Sequence, residues 1–439
     1  MLDILINKPN FNQHIEYTII KYIKLMSELI QLNAGWNSNE ISLKYLKKLI
    51  QDHHLSQQQI DNRENKEQFQ QRISTCFEEH EKYRSFRGVF LDEQQSMDQI
   101  LTMQDQEFID PNYMIGKNVY LGGTYYQGKN IFAQVYQQEF EDKLRQIYEN
   151  SDHLFGCNLI HSLSDKFCGI SMQLIRFLDS NQFFSSTSIF PNLQSCSAIE
   201  IYNTILSLNQ LILNCNYCMV YDYDSLSRRV QEQCQYPSQS NCHDIVAETL
   251  LQNNCSMRFP GYQNGDLRKL AVNLISFPRM HFLSNAFGVI SPHKILSDQI
   301  YKLTEPANQN FTFQGDAKNF YRMQATVSRT KDLYYEIQES TSKCKNTTAW
   351  VKHGFCNINC KVQHYELGDT VLYIGHHNYF GMYCRQLCLK FLQLWRKKAY
   401  FHYYACEGAD ELDFVEAEST VSDLFSEYIT YDIVDQELD

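Results

Sequence analysis

Glycine is scarce in this chain, with 17 in 439 residues against a usual share of about 7%. A loop rich in glycine that wraps phosphate is therefore not expected anywhere. Basic residues are also in deficit: 39 Lys and Arg face 51 Asp and Glu, a net charge of −12. That balance argues against a nucleic-acid binder, which carries a basic excess. No run reaches the roughly 18 apolar residues of a membrane span. Met1–Ile6 is short and mixed, without the pattern of a secretory leader. No nucleic acid and no membrane are expected as partners. No Ser–His–Asp or Cys–His spacing suggests a nucleophile. His281 and His402 both sit in apolar wording and read as core histidines. The 15 cysteines are odd in number and scattered, which fits reduced thiols better than a disulfide framework. Cys215-x2-Cys218 and Cys356-x3-Cys360 lack the flanking spacing of a zinc ribbon or finger, and Cys384-x3-Cys388 sits on an apolar helix face.

What is present is enough for several cores. Hydrophobic residues make up 43% and aromatics 13% of the chain, and the length suggests two or three domains. Arg258–Leu283 is the most informative stretch. Pro260-Gly261 and Asn264-Gly265 read as turns, and Asp266 as a helix N-cap residue. Leu267, Leu270, Ala271 and Leu274 form one apolar helical stripe. Phe277-Pro278 ends the helix, and Met280–Ile290 reads as a buried strand. Near the other end, Phe380, Cys384, Leu387, Cys388, Phe391 and Trp395 define an amphipathic helix. Leu412, Phe414, Ala417, Val421, Leu424, Phe425 and Tyr428 mark a last one.

The wording RFPGYQNGDLRKLAVNLISFPRMHFL over Arg258–Leu283 resembles the β-tubulin segment carrying the longitudinal contact loop and the helix after it. WRKKAYFHYY over Trp395–Tyr404 and EGADELDFVEAES over Glu407–Ser419 resemble the same family's C-terminal helices. The chain thus looks like a divergent β-tubulin-like member of the tubulin family. The implied fold is α/β: a Rossmann-type nucleotide-binding domain with a parallel sheet, an α+β intermediate domain and a C-terminal helical hairpin. The expected division is 1–238, a connecting core helix at 239–254, then 255–375 and 376–439. Within that frame Met1–Ile6 reads as a first strand and Ile15–Leu32 as a helix. The phosphate turn falls between them, echoed by Asn12-Gln13. Gln51–Arg72 reads as polar surface, and Tyr334–Ile358 and Asp369–Ile374 as strand-rich material.

The resemblance also assigns a nucleotide site. It would use Gln13, Glu93 at the end of a strand over Arg87–Leu91, Asn118 before Gly122-Gly123, Ser162, and Glu200 on the ribose side. Tyr223 and His243 replace the asparagines that face guanine, and Gln239 stands at the base-stacking tyrosine. Asp92 and Glu93 are the candidate magnesium ligands, since carboxylates at a strand end suit hard cations, though such acids equally cap helices. GTP or GDP with Mg is the implied cofactor. Yet Ser164-Asp165-Lys166-Phe167-Cys168 stands where the family has its glycine signature, with only Gly169 left nearby. A cradle of backbone N–H groups needs those glycines, so weak or absent GTPase activity is expected. The longitudinal surface would use Asn264, Asp266 and Lys269. Lys269 occupies the place of the glutamate that an α-type subunit offers its neighbour's nucleotide, and it cannot act as that base. Ser291–Asp298 stands at the lateral-contact loop with altered wording, and no long glutamate-rich tail follows, so partners of such a tail are not expected. The expected role is a structural subunit of cytoplasmic microtubules, paired with an α-tubulin-type partner in the lattice. The alternatives are a GTPase with altered contacts and a non-polymerising regulator.

Overall fold

The computed structural model describes residues 28–55, 72–80, 83–101, 106–178, 181–231, 238–259, 261, 265–313, 321–342 and 354–438. The strands are β1 (Glu28–Ala34), β2 (Phe77–Glu79), β3 (Arg84–Phe86), β4 (Gly88–Glu93), β5 (Met114–Lys117), β6 (Leu154–Ser162), β7 (Phe183–Phe190), β8 (Tyr217–Asp222), β9 (Phe282–Val289), β10 (Tyr321–Arg329), β11 (Phe355–Cys360) and β12 (Thr370–His377). Ten of them make one sheet in the order β11-β10-β12-β9-β8-β7-β6-β1-β4-β5, and β2 pairs with β3 alone. From β5 through to β9 every neighbouring pair is parallel. β12 then runs antiparallel to both β9 and β10, and β11 is parallel to β10. The chain leaves β1 toward β4 and β5, then returns to β6 on the other side. This reversal opens a crevice beyond the carboxyl ends of β1 and β6, where doubly wound sheets hold ligands.

The first strand among the described residues is β1, and it overturns the reading of Ile15–Leu32 as a helix for its last five residues. Leu29, Ile30 and Leu32 are spaced so that a short buried run fits either period. What decides is the partner on each side: Gln31 is in register with Gly88 of β4 and Asn158 of β6. The suggested strand at Met1–Ile6 lies outside the described residues. Gly35 follows β1 with φ of 89°, a conformation open to glycine at little cost, and the helix Trp36–Asp52 starts there.

β7 is polar in wording, FFSSTSIF, yet all eight residues are buried. Its hydroxyls are satisfied inside the sheet. His161 Nε2 lies 3.1 Å from Ser186 Oγ and 2.8 Å from Ser188 Oγ. Burial holds the His161 imidazole down to about 3, so the ring is neutral.

Two apolar layers cover the sheet. One holds the helices Tyr125–Ile131, Gln137–Glu149, Cys168–Leu174 and Ala198–Asn214, with Tyr379–Trp395 and Glu411–Leu438 packed on the last of these. The other holds Trp36–Asp52, Tyr223–Gln231, Gln239–Asn253 and Leu267–Leu274. Gly169 lets two helices of the first layer touch. A Cβ there would stand 2.0 Å from the Tyr125 carbonyl oxygen.

Other readings are also corrected. Tyr334–Ser342 is a helix rather than strand, its apolar Ile337 set against Ile300 and Val371. Asp52 and His53 are buried, so the reading of Gln51–Arg72 as polar surface fails at its start. His402 is exposed, whereas His281 is buried, with Nε2 3.1 Å from the Leu211 carbonyl oxygen. The described cysteines are all free.

Candidate functional site at the carboxyl ends of the sheet

A cavity of about 630 Å³ opens in the crevice beside the ends of β1, β6, β7 and β8. Asn37 reaches it from the start of the helix Trp36–Asp52, Ser162, Asp165 and Lys166 from the end of β6, Glu200 from the helix Ala198–Asn214, and Tyr223 from the end of β8. Each of these elements ends at the same edge because the strands are parallel and in register.

Its floor is built from the turn after β6. Lys166 Nζ lies 2.5 Å from Glu93 Oε1, joining the end of β4 to that of β6. The Lys166 backbone N–H donates to Asp165 Oδ1 at 2.7 Å. Burial pushes the Asp165 carboxyl up, opposed by that N–H and the neighbouring ammonium. The Phe167 ring packs on Gly35, where an added Cβ would meet it at 3.1 Å. On the adjoining wall, the Gly122 backbone N–H is taken by the side-chain oxygen of Gln127. Asn203 fastens this loop by accepting from Tyr125 N at 2.9 Å and donating to Gly123 O at 2.7 Å.

The far wall is a side-chain network. The Tyr223 hydroxyl lies 3.1 Å from His243 Nε2, and His243 Nδ1 lies 3.0 Å from Glu40 Oε2. Gln239 Nε2 donates to the Tyr223 hydroxyl and to Asn37 Oδ1, both at 3.2 Å. The His243 imidazole, with Ser240 and Lys44, holds Glu40 below the usual carboxylate range against the cost of burial. Burial pushes the Tyr223 phenol up to about 12, so it is a neutral hydroxyl at physiological pH.

The expected site residues are thus distributed as follows. Ser162, Glu200 and Tyr223 line the cavity, while His243 stands behind Tyr223, fully buried. Glu93 is at the floor as the partner of Lys166. Asn118 is exposed just after β5, and Gly122 and Gly123 line the cavity instead. Gln13 lies outside the described residues, and after β1 it is the first turn of the helix Trp36–Asp52 that faces the cavity, through Asn37. Of the two carboxylates suggested for magnesium, Asp92 is buried and accepts from Asn39 Nδ2 at 3.0 Å and Glu93 N at 2.8 Å. Burial raises it to about 6. Among the described residues, no group of three or more His, Cys, Asp or Glu is placed to hold a metal ion.

Sequence reasoning missed Asn37, Glu40 and Lys166. The first two were hidden because Glu28–Leu32 reads in sequence as the end of a helix, so no turn is expected after it. The third carried a weak signal: an acidic strand end with no glycine loop nearby leaves a carboxylate needing a counter-charge.

The residues present do not fit a magnesium-bound guanosine triphosphate. Two backbone N–H groups at the cavity, those of Lys166 and Gly122, are already taken by Asp165 and Gln127. The carboxylate that would face its metal is held by an ammonium.

At the opposite end of the same layer, Asp266 caps Leu267–Leu274 by accepting from Lys269 N at 2.7 Å. Leu267, Leu270, Ala271 and Leu274 are buried, while Asp266, Arg268, Lys269, Val272 and Asn273 face outward. Asn264 lies outside the described residues.

Comparison with known proteins agrees with this architecture. The sequence model of the Tubulin/FtsZ family, GTPase domain, matches residues 28–231, beginning at β1. The chain is 29% identical to the tubulin beta-6 chain of Gossypium hirsutum over 438 residues, covering 92% of this chain and 95% of that protein. It is equally 29% identical, with the same coverage, to the tubulin beta-1 chain of Colletotrichum graminicola and the tubulin beta chain of Cicer arietinum.

Proposed function

Because this chain is a divergent, β-tubulin-like member of the tubulin family, a GTP-binding cytoskeletal family, we propose that it is a structural subunit of microtubules. In this reading it pairs end to end with an α-tubulin-type partner in the cytoplasm and turns over GTP weakly or not at all. The chain divides functionally at 1–238, 239–254, 255–375 and 376–439, with the longitudinal surface in the third part. No helix among the described residues is long and apolar enough to cross a membrane.

The observation that carries the reading is the outer face of Leu267–Leu274. Val272 is 75% exposed and sits between Lys269 and Asn273 on a helix whose inner face is fully packed. Interfaces set an apolar centre inside a polar rim, and on this face that centre would be Val272. Asp266, at the cap, fixes the helix start and so the direction in which Lys269 points. The glutamate-dependent chemistry of an α-type subunit is not available from this helix, because Lys269 offers no carboxylate to activate water.

Co-sedimentation with tubulin polymer tests the reading. The wild-type chain is expected to pellet with polymer. The double substitution Lys269→Glu with Val272→Asp changes only exposed side chains, and it is expected to abolish most of the pelleting while leaving the thermal midpoint in place. Truncation or charge reversal at an interface centre costs upward of about 2 kcal/mol, roughly 30-fold in affinity. Equal pelleting of both proteins would reject docking through this face.

A further inference from the structure

We propose that Lys166 is a counter-ion built into the chain, standing in for the metal's positive charge at Glu93, so that this protein folds and stays folded without guanine nucleotide or magnesium. The inference rests on the family reading for what the crevice once held, but its evidence is local.

Three groups of contacts make the crevice self-sufficient. The first is electrostatic. Glu93 lies next to the buried Asp92 and near Asp165, three acids in a small volume, and the only cation within ion-pair distance of Glu93 among the described residues is Lys166, at 2.5 Å. The second is the use of backbone donors: the N–H groups of Lys166 and Gly122 are capped by Asp165 and Gln127, so neither is left seeking an anion. The third is volume. Phe167 fills the space against Gly35, and Tyr223, Gln239, His243 and Glu40 bond one another across the far wall. A pocket that depends on a ligand leaves donors and charges unsatisfied when empty. Here the Lys166 and Gly122 N–H groups and the Glu93 carboxylate find their partners within the chain. The open remainder carries the carboxylates of Glu200 and Asp224 at its rim, which disfavours any polyanion. Glu200 also caps its own helix through the Ser197 N–H at 2.6 Å.

The test uses the purified full chain in thermal unfolding, alone, with excess Mg–GTP, and with EDTA. The expected result is one midpoint in all three conditions. A rise with Mg–GTP or a fall with EDTA would overturn the proposal. Two variants then examine the ion pair itself. Lys166→Met removes the ammonium and keeps the stem. It is expected to lower the midpoint and to make it responsive to magnesium, because Glu93 then lacks a counter-charge. Glu93→Gln combined with Lys166→Met is expected to recover most of the loss and to lose the magnesium response. A Lys166→Met protein as stable as wild type and indifferent to magnesium would also overturn it. If Lys166→Met does not fold, the three wild-type midpoints still decide. Loss of docking in the pelleting experiment would leave these midpoints unchanged, so the two ideas fail separately.

Discussion

Replacing Asp52 with alanine is expected to lower stability by about 3–5 kcal/mol, the cost of breaking a fully buried ion pair. Asp52 is the anchor of two guanidinium groups from distant parts of the chain. Arg258 Nη1 donates to Oδ2 at 2.6 Å, and Arg329 donates to Oδ2 at 2.9 Å and to Oδ1 at 2.7 Å. All three side chains are nearly inaccessible to solvent. Further donors are also used: Arg258 Nη2 reaches the Leu251 carbonyl at 2.7 Å, and Arg329 Nε reaches that of Val362 at 3.0 Å. Both guanidinium groups lie about 5 Å from the Phe259 ring centroid, 5.0 and 5.1 Å respectively.

The cluster binds the end of Trp36–Asp52 to the segment after Gln239–Asn253 and to β10, so it ties the parallel half of the sheet to the antiparallel half. Burial alone would raise the Asp52 carboxyl, but Arg329 and then Arg258 hold it well below the usual carboxylate range. The sign follows from that depression. The stabilisation is present above the unfolded value near 4 and is lost only as pH falls toward the lower folded one. Equilibrium urea unfolding of wild type and Asp52→Ala at neutral pH measures the loss. A difference below about 1 kcal/mol, the level of an exposed pair, would mean that the cluster does not bear on stability.

Mg–GTP is expected to bind this chain at least roughly 100-fold more weakly than it binds a family pocket with intact contacts. Two backbone donors at the cavity are already taken by Asp165 and Gln127, and each hydrogen bond to a charged phosphate that goes unmade forfeits about 1.5–3 kcal/mol. Two such losses amount to about 3 kcal/mol, or a factor near 100. Displacing Lys166 from Glu93 adds to this, although the pair is partly exposed, at 38% and 31% of the two side chains, and its own contribution is modest for that reason. Titration with a fluorescent guanosine triphosphate reads the affinity directly. Micromolar or tighter binding would show that the turn after β6 rearranges around the ligand.

The sequence disclosed some of this and concealed the rest for physical reasons. Leu267–Leu274 was legible because a capping aspartate, a stripe of four apolar residues and a terminating proline all agree. Tyr379–Trp395 was legible from its long apolar stripe. The start of the sheet was not: Glu28–Ala34 is short and buried on both faces, so its periodicity cannot distinguish strand from helix. That displacement moved the expected turn away from Asn37 and Glu40. Lys166 could be read as a foreign residue in a glycine position. Its partner, however, is 73 positions away on β4, and only the parallel pairing of β4, β1 and β6 brings the two together. Asp52 was hidden in the same way, because a charged residue in a polar run gives no sign that two arginines 206 and 277 positions away close over it.

The central claim is that the crevice at the sheet's carboxyl edge is satisfied by the chain's own side chains. Denaturing the freshly purified protein and quantifying released guanine nucleotide by ion-exchange chromatography measures this most directly. The account predicts substoichiometric nucleotide or none, with the protein folded before denaturation. One guanine nucleotide released per chain would contradict it.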